Sequence, residues 1–501
     1  MAGTQRTQGN PTRSPGGSAG LVPALGMFST MMLVVGGVIG SGIFRKSGVM
    51  AGQLGSPELL LGVWLLAGII TMFGALTNAE ISSFISETGG QYVYFERMYG
   101  SFAAFLYGWA ALVVFQTGSI AALAYVFAEY ATHFFHLGEL SPELAAWSFH
   151  LPLIGDIAPL KEFGVKCLAA TVVVVLTVIN YLGVRFGGVV QNIFTLAKLA
   201  GMAALLVCAF LPGAGGNAAN LVHDAPMVPQ TNWALALAIA AALQGAFWAY
   251  DGWVKVSYIA GEVREPQRII PRATVVGMLI VTAVYLAMNV AYCWVLPAGE
   301  MANSKLVAAD VAERIQAGGA QWIAALVMIS TFGANNAVVL ASARIYFSMG
   351  QRRTMPALLG RVHPRFHTPS VALMLQGAWC LVMIFTGTFD TLTDTLIFTI
   401  WVFYAAGAFG VFVLRWKEPD APRSYRVPGY PWVPAIFVGF AVLFLGMTVW
   451  NDISGYRAAV AAGKPGLINS AFGTALVLLG APLYFLLRRP AKQQAGDGAS
   501  L

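Results

Sequence analysis

The sequence predicts an all-α integral membrane protein of twelve transmembrane helices, with ten of them arranged as two inverted repeats of five. Three observations lead there. Only 10% of the 501 residues are charged while 57% are hydrophobic, and the mean hydropathy is +0.69; a soluble domain carries about 25% charged residues. The apolar residues fall in long runs, such as Val165 to Leu182, Leu235 to Tyr250, Ala273 to Leu296 and Val433 to Trp450. Each run is close to or beyond the roughly 20 residues that take a helix across a bilayer. Finally, the first and sixth apolar segments are interrupted by glycine. So little polar surface excludes an aqueous enzyme.

Apolar runs bounded by polar, Gly or Pro clusters place the spans near 27–50, 57–86, 101–132, 163–184, 188–211 and 233–262. The other six fall near 273–295, 320–350, 370–389, 391–415, 432–451 and 467–487. An even number puts both termini on one side. If they are cytoplasmic, inside loops and tails hold 18 of the 29 Lys and Arg residues and outside loops hold 8, so the positive-inside rule predicts cytoplasmic termini. The expected organisation is a polar tail over 1–22, a first repeat over 23–211, a second over 233–415, two added spans over 432–487 and a polar tail over 488–501. The first 25 residues lack an apolar stretch before Leu21 and do not read as a signal peptide.

The net charge of +7 is spread over short clusters between apolar runs, the pattern of cytoplasmic loops and not of a nucleic-acid surface. Cys167, Cys208, Cys293 and Cys380 all lie within apolar segments without metal-ligand spacing. They read as small packing residues, and neither metal nor cofactor is expected.

The interrupted spans carry the chemistry. Span 1 contains Gly36-Gly37-Val38-Ile39-Gly40-Ser41-Gly42-Ile43-Phe44, and span 6 contains Trp248-Ala249-Tyr250-Asp251-Gly252-Trp253. Gly-interrupted segments at corresponding places in two groups of five point to a binding site between inverted repeats. A break in mid-membrane frees backbone groups that lipid cannot satisfy, so it must be buried in protein or line a watery cavity. The N–H groups opening the half-helix after Gly40-Ser41-Gly42 suit a carboxylate. Carbonyls released before each break suit an ammonium group. Together they would hold both ends of an amino-acid zwitterion, with glycine allowing backbone to approach the ligand.

Gly40-Ser41-Gly42-Ile43-Phe44 resembles the GSGIF motif that opens the amino acid–polyamine–organocation superfamily. Trp248 to Trp253, with Gly261-Glu262-Val263 and Pro271-Arg272-Ala273, resembles helix 6 of its L-amino-acid transporter branch. Phe332-Gly333-Ala334-Asn335-Asn336 with Ala343-Arg344 is similar to helix 8 of that branch, and Gly89-Gly90-Gln91-Tyr92 to the segment leading into helix 3. The resemblance runs from about Pro23 to Leu487. It implies the LeuT-type fold, with discontinuous helices 1 and 6, and amino-acid transport, often by exchange, in the bacterial inner membrane. Carried over residue by residue, the carboxylate contacts fall on Ser41 and Gly42, flanked by Gly40 and Ile43. The ammonium contacts fall on the carbonyls of Val38, Trp248 and Asp251, the last beside Gly252. Trp248 takes the aromatic gate position where many relatives carry Phe, and its bulk implies small substrates. Val254 departs from the Asn often found in that branch.

Lys198 lies in the middle of span 5, where a charge costs about 2.5–3.5 kcal/mol on insertion scales. It must therefore face the protein interior. In sodium-independent relatives a lysine in this helix resembles a built-in cation at the sodium site of ion-coupled cousins, which makes Ser330 and Thr331 of span 8 its expected partners. Asp251 is open to three readings: reading substrate charge, capping the next half-helix, or titrating. Glu80 reads either as a gate or proton-path residue or as a structural hydrogen-bonding group, and Lys255, Glu262 and Arg264 as charges at the inner end of span 6.

The expectation is a sodium-independent exchanger of small neutral L-amino acids. A proton-coupled or cationic amino-acid permease is the alternative, and an amino-acid sensor without turnover is the reading from another class. A membrane enzyme has no HExxH, nucleophile elbow or His/Cys cluster to support it. The loop over 133–162 has no cysteine, so the disulfide by which animal relatives hold a glycoprotein partner is not expected.

Overall fold

The computed structural model describes residues 20–151, 155–222, 232–304, 306–386, 389–462 and 468–487. The tail expected over 488–501, and that over 1–22 as far as residue 19, lie outside the described residues. Eleven helices among the described residues are long and apolar enough to cross a membrane, and Ser370–Thr386 is a shorter apolar helix. Together they fall on the twelve predicted spans. Spans 1 to 6 are Met27–Leu54, Pro57–Ser82, Ser101–Ala131, Phe163–Tyr181, Val184–Ala209 and Asn232–Glu262. Spans 7 to 12 are Pro266–Val295, Gly319–Gln351, Ser370–Thr386, Phe389–Lys417, Trp432–Ala461 and Asn469–Leu487. The only strands among the described residues are Phe149–Leu151 and Gly155–Ile157, an antiparallel pair in the loop between spans 3 and 4.

Local chemistry explains where the helices start, stop and bend. Span 2 opens on Ser56, whose hydroxyl accepts the Leu59 N–H at 3.2 Å, with Pro57 at the first position where no N–H is needed. Span 12 is interrupted between Leu478 and Gly480, four residues before Pro482, which has no N–H to return to Leu478. Span 3 widens into a π-turn over Ala111–Phe115, and the Tyr346 hydroxyl of span 8 donates to the Ala111 carbonyl at 3.1 Å. Such turns disturb the regular ladder, and here a neighbouring helix supplies a donor.

Burial sorts the spans into inner and outer layers. Over their most apolar stretches, spans 1, 3 and 8 are 78–83% buried, whereas spans 4, 5, 11 and 12 are 22–33% buried. The outer helices expose Val178, Ile193, Leu443 and Leu486, which is what a lipid-facing surface requires. Spans 1 and 6 run antiparallel. The stretch before span 1 lies along the end of span 6, with the Ala24 and Leu25 N–H groups donating to the Glu262 carbonyl and the Arg264 N–H to that of Leu25, each at 2.9 Å. Their interruptions therefore meet at the same depth in the centre of the molecule.

Candidate functional site

Both predicted breaks are present. Span 1 stops at Val38 and restarts at Gly42, and span 6 stops at Tyr250. After its break span 6 continues as a 3₁₀ helix over Lys255–Glu262 and not as an α-helix. The breaks touch backbone to backbone. A Cβ on Gly42 would lie 2.6 Å from Ala249 Cα, and one on Gly252, whose φ is +122°, would lie 2.8 Å from the Gly37 carbonyl oxygen. Glycine is required at both positions, for the close approach at Gly42 and for φ as well at Gly252.

Between the breaks lies a small cavity, lined in part by Val38, Gly40, Ser41, Gly42, Trp248 and Asp251. Span 3 contributes Ser119 and Leu123, and span 8 contributes Ala334. Ile43, fully buried, and Gly252 are not among the lining residues, though each follows one in sequence. The N–H groups of Gly40, Ser41, Gly42 and Ile43 find no acceptor among the described residues, and the buried Ser41 hydroxyl has no partner there either. This is the set of donors that a helix start leaves open, augmented by one hydroxyl.

The carbonyls of the first break are in the opposite condition. Lys198, fully buried, donates from Nζ to the carbonyls of Gly36 at 3.0 Å, Ile39 at 2.5 Å and Ser330 at 3.0 Å. The Ser330 hydroxyl adds a bond to the Gly40 carbonyl at 2.9 Å. One ammonium thus joins span 5 to spans 1 and 8 and uses its three donors. Thr331 differs from expectation: its hydroxyl donates to the Val327 carbonyl of its own helix at 2.8 Å and makes no hydrogen bond to Lys198. A threonine within a helix finds the carbonyl four residues back without any rearrangement.

Asp251 does not cap the following half-helix. Its Oδ2 accepts from Lys255 Nζ at 2.8 Å and its Oδ1 from the Tyr404 hydroxyl at 2.6 Å. Lys255, expected near the membrane surface, is buried and lines the cavity. Its spacing of four residues from Asp251 was a usable signal, but an unwound segment gives no assurance that such neighbours meet. Tyr285 of span 7 had no signal in sequence. Its hydroxyl lies 2.8 Å from the Ala249 carbonyl and 3.2 Å from that of Val38, linking the two breaks.

Further ion pairs tie helix ends together, with Glu80, Glu262 and Arg344 buried and Arg352 more exposed. Glu80 receives Arg415 at 2.8 and 2.7 Å and the Val427 N–H at 2.7 Å. Glu262 and Arg344, both fully buried, pair through two bonds of 2.8 Å. Arg352 bridges Glu87 and Glu96. Among the described residues no cluster of His, Cys, Asp and Glu has the makings of a metal site.

Comparison with known proteins adds the following. A family model described as amino acid permease matches residues 25–478. The serine/threonine exchanger SteT of Bacillus subtilis (strain 168) is 33% identical over 454 residues, covering 89% of this chain and 96% of the relative. The human b(0,+)-type amino acid transporter 1 is 32% identical over 405 residues, covering 81% and 78%. Human large neutral amino acids transporter small subunit 2 is 31% identical over 474 residues, covering 94% and 82%.

Proposed function

The chain belongs to the amino acid permease family, with its LeuT-type fold and multi-pass membrane architecture, and on that premise we propose that it exchanges small neutral L-amino acids across the cell (inner) membrane without sodium. The observation that carries this reading is four open N–H groups and the Ser41 hydroxyl at the first break, beside a small cavity lined also by Val38, Trp248 and Asp251, residues that bring carbonyls to it. A zwitterion needs both. The α-carboxylate would take the donors at Ser41 and Gly42, with Gly40 and Ile43 beside them. The α-ammonium would take the carbonyls of Val38, Trp248 and Asp251. Trp248 closes over the side chain and limits its size.

Lys198 supplies a fixed positive charge between spans 1 and 8, where an ion-coupled carrier would bind a cation from solution. The exchange of serine and threonine named for the Bacillus relative agrees with this assignment. Both termini face the cytoplasm in this reading, the two repeats occupy 23–211 and 233–415, and spans 11 and 12 are additions. Work without a disulfide-linked partner is favoured by the positions of the cysteines: Cys293 and Cys380 are buried and Cys167 and Cys208 lie within spans 4 and 5.

The test is uptake of labelled L-serine and L-alanine by the purified protein in liposomes. Uptake should be accelerated by amino acid inside and unchanged when choline replaces sodium. N-acetylated or decarboxylated analogues should not compete. Strict sodium dependence, or strong inhibition by arginine with none by alanine or serine, would overturn the reading. A proton gradient that drives uptake into empty liposomes would favour the proton-coupled alternative.

A further inference from the structure

Only two charged residues line the cavity among the described residues, Asp251 and Lys255, and they cancel. Both carboxylate oxygens are taken, Oδ2 by the Lys255 ammonium at 2.8 Å and Oδ1 by the Tyr404 hydroxyl at 2.6 Å. Lys255 is 2% exposed and Asp251 8%, so bulk water does little to screen the pair. A carboxylate in such a place, left alone, would attract any ammonium or guanidinium small enough to enter. Here the attraction is already satisfied from within the chain.

We propose that Lys255 sets the charge selectivity of the site by standing beside Asp251 where a cationic substrate side chain would otherwise go. The proposal rests on the reading of the cavity as the amino-acid site. Lysine, ornithine or 2,4-diaminobutyrate entering the cavity would bring a second cation next to the Lys255 ammonium and find both carboxylate oxygens already engaged. Exclusion thus comes from repulsion as well as from a lost partner, the two ways in which specificity is built. A neutral side chain meets a site of zero net charge and suffers neither.

Three variants separate this from a structural role for the pair. Lys255→Met keeps much of the length of the side chain and removes its charge. Lys255→Arg keeps the charge. Asp251→Asn leaves Lys255 unpaired and the cavity positive. The readout is inhibition of labelled L-serine exchange by ornithine or 2,4-diaminobutyrate relative to inhibition by alanine, with thermal unfolding of the purified protein in the presence of each compound. In Lys255→Met the cationic compounds should gain on alanine by about tenfold or more, a modest share of the interaction between two close, poorly screened charges. They should also stabilise that variant more than alanine does. Lys255→Arg should retain the wild-type order, and Asp251→Asn should disfavour cations further.

An unchanged ratio in Lys255→Met, or a gain of ornithine by Asp251→Asn, would overturn the role of Lys255 while leaving neutral exchange standing. If Lys255→Met does not fold, the Arg and Asn variants still decide, because a purely structural pair predicts no further loss of cations in Asp251→Asn beside an unchanged order in Lys255→Arg. A wild type that exchanges no neutral amino acid would instead overturn the function on which the proposal rests.

Discussion

The two helix breaks that face each other across the cavity are stabilised in different ways. In span 1 the break covers three residues, and its carbonyls are held from behind by Lys198 Nζ and the Ser330 hydroxyl. What remains unused is backbone N–H, on residues that mostly line the cavity. In span 6 the break covers Asp251 to Val254 and is held by side chains: Tyr285 on the Ala249 carbonyl, and Lys255 and Tyr404 on Asp251. Its charge is cancelled in place. The difference teaches a division of labour. Backbone donors cannot be changed by substituting side chains and suit the part common to all amino acids. The side-chain-built break is where one carrier can differ from another in what it selects.

The sharpest test of the first half of this comparison is Gly42→Leu. Its Cβ would meet the Ala249 backbone, so the two breaks must part or the half-helix must turn its N–H groups away from the cavity. A displacement of about 1 Å at a positioned site costs about a hundredfold, and uptake in liposomes should fall by that much or more. Stabilisation by serine should vanish from the thermal unfolding of the purified variant. Wild-type kinetics would show that the N–H groups are not the anchor.

A somewhat smaller effect is expected from Lys198→Ala. Alanine keeps the helix, but the carbonyls of Gly36, Ile39 and Ser330 lose their common donor. Each buried group left unsatisfied costs about 1–3 kcal/mol, which a water entering the space would partly offset. Exchange measured in liposomes should fall by roughly tenfold or more. Unchanged kinetics would mean that the first break does not depend on its cation.

Tyr285→Phe probes the link between the two breaks and should have the mildest effect. It removes one hydroxyl shared by the Ala249 and Val38 carbonyls, worth about 1 kcal/mol, or roughly fivefold in affinity. The loss should appear in the apparent affinity for serine, measured by competition, more than in expression or assembly. Combined with Lys198→Ala, a loss equal to the product of the two would show that the breaks are stabilised independently. A smaller combined loss would show that they move as one unit.

Much of this molecule was determined by sequence alone, because the bilayer is an unforgiving solvent. Long apolar runs with few charges have only the helix open to them, which settled the number and order of spans. Gly36 to Gly42 and Asp251-Gly252 had to be breaks lining a polar space, since lipid offers no partner to freed backbone groups. Lys198 had to face inward for the same reason. Tertiary structure decided which group meets which. Asp251 finds Tyr404, 153 residues away, Glu262 finds Arg344, 82 away, and Glu80 finds Arg415, 335 away. Thr331, one residue from Ser330, turns back to its own helix, and Tyr285 bridges two breaks that its local sequence does not mention. Hydrogen bonds and ion pairs depend on separations of a few tenths of an ångström between helices. Those separations are set by how all twelve spans pack together, and no single segment contains that information.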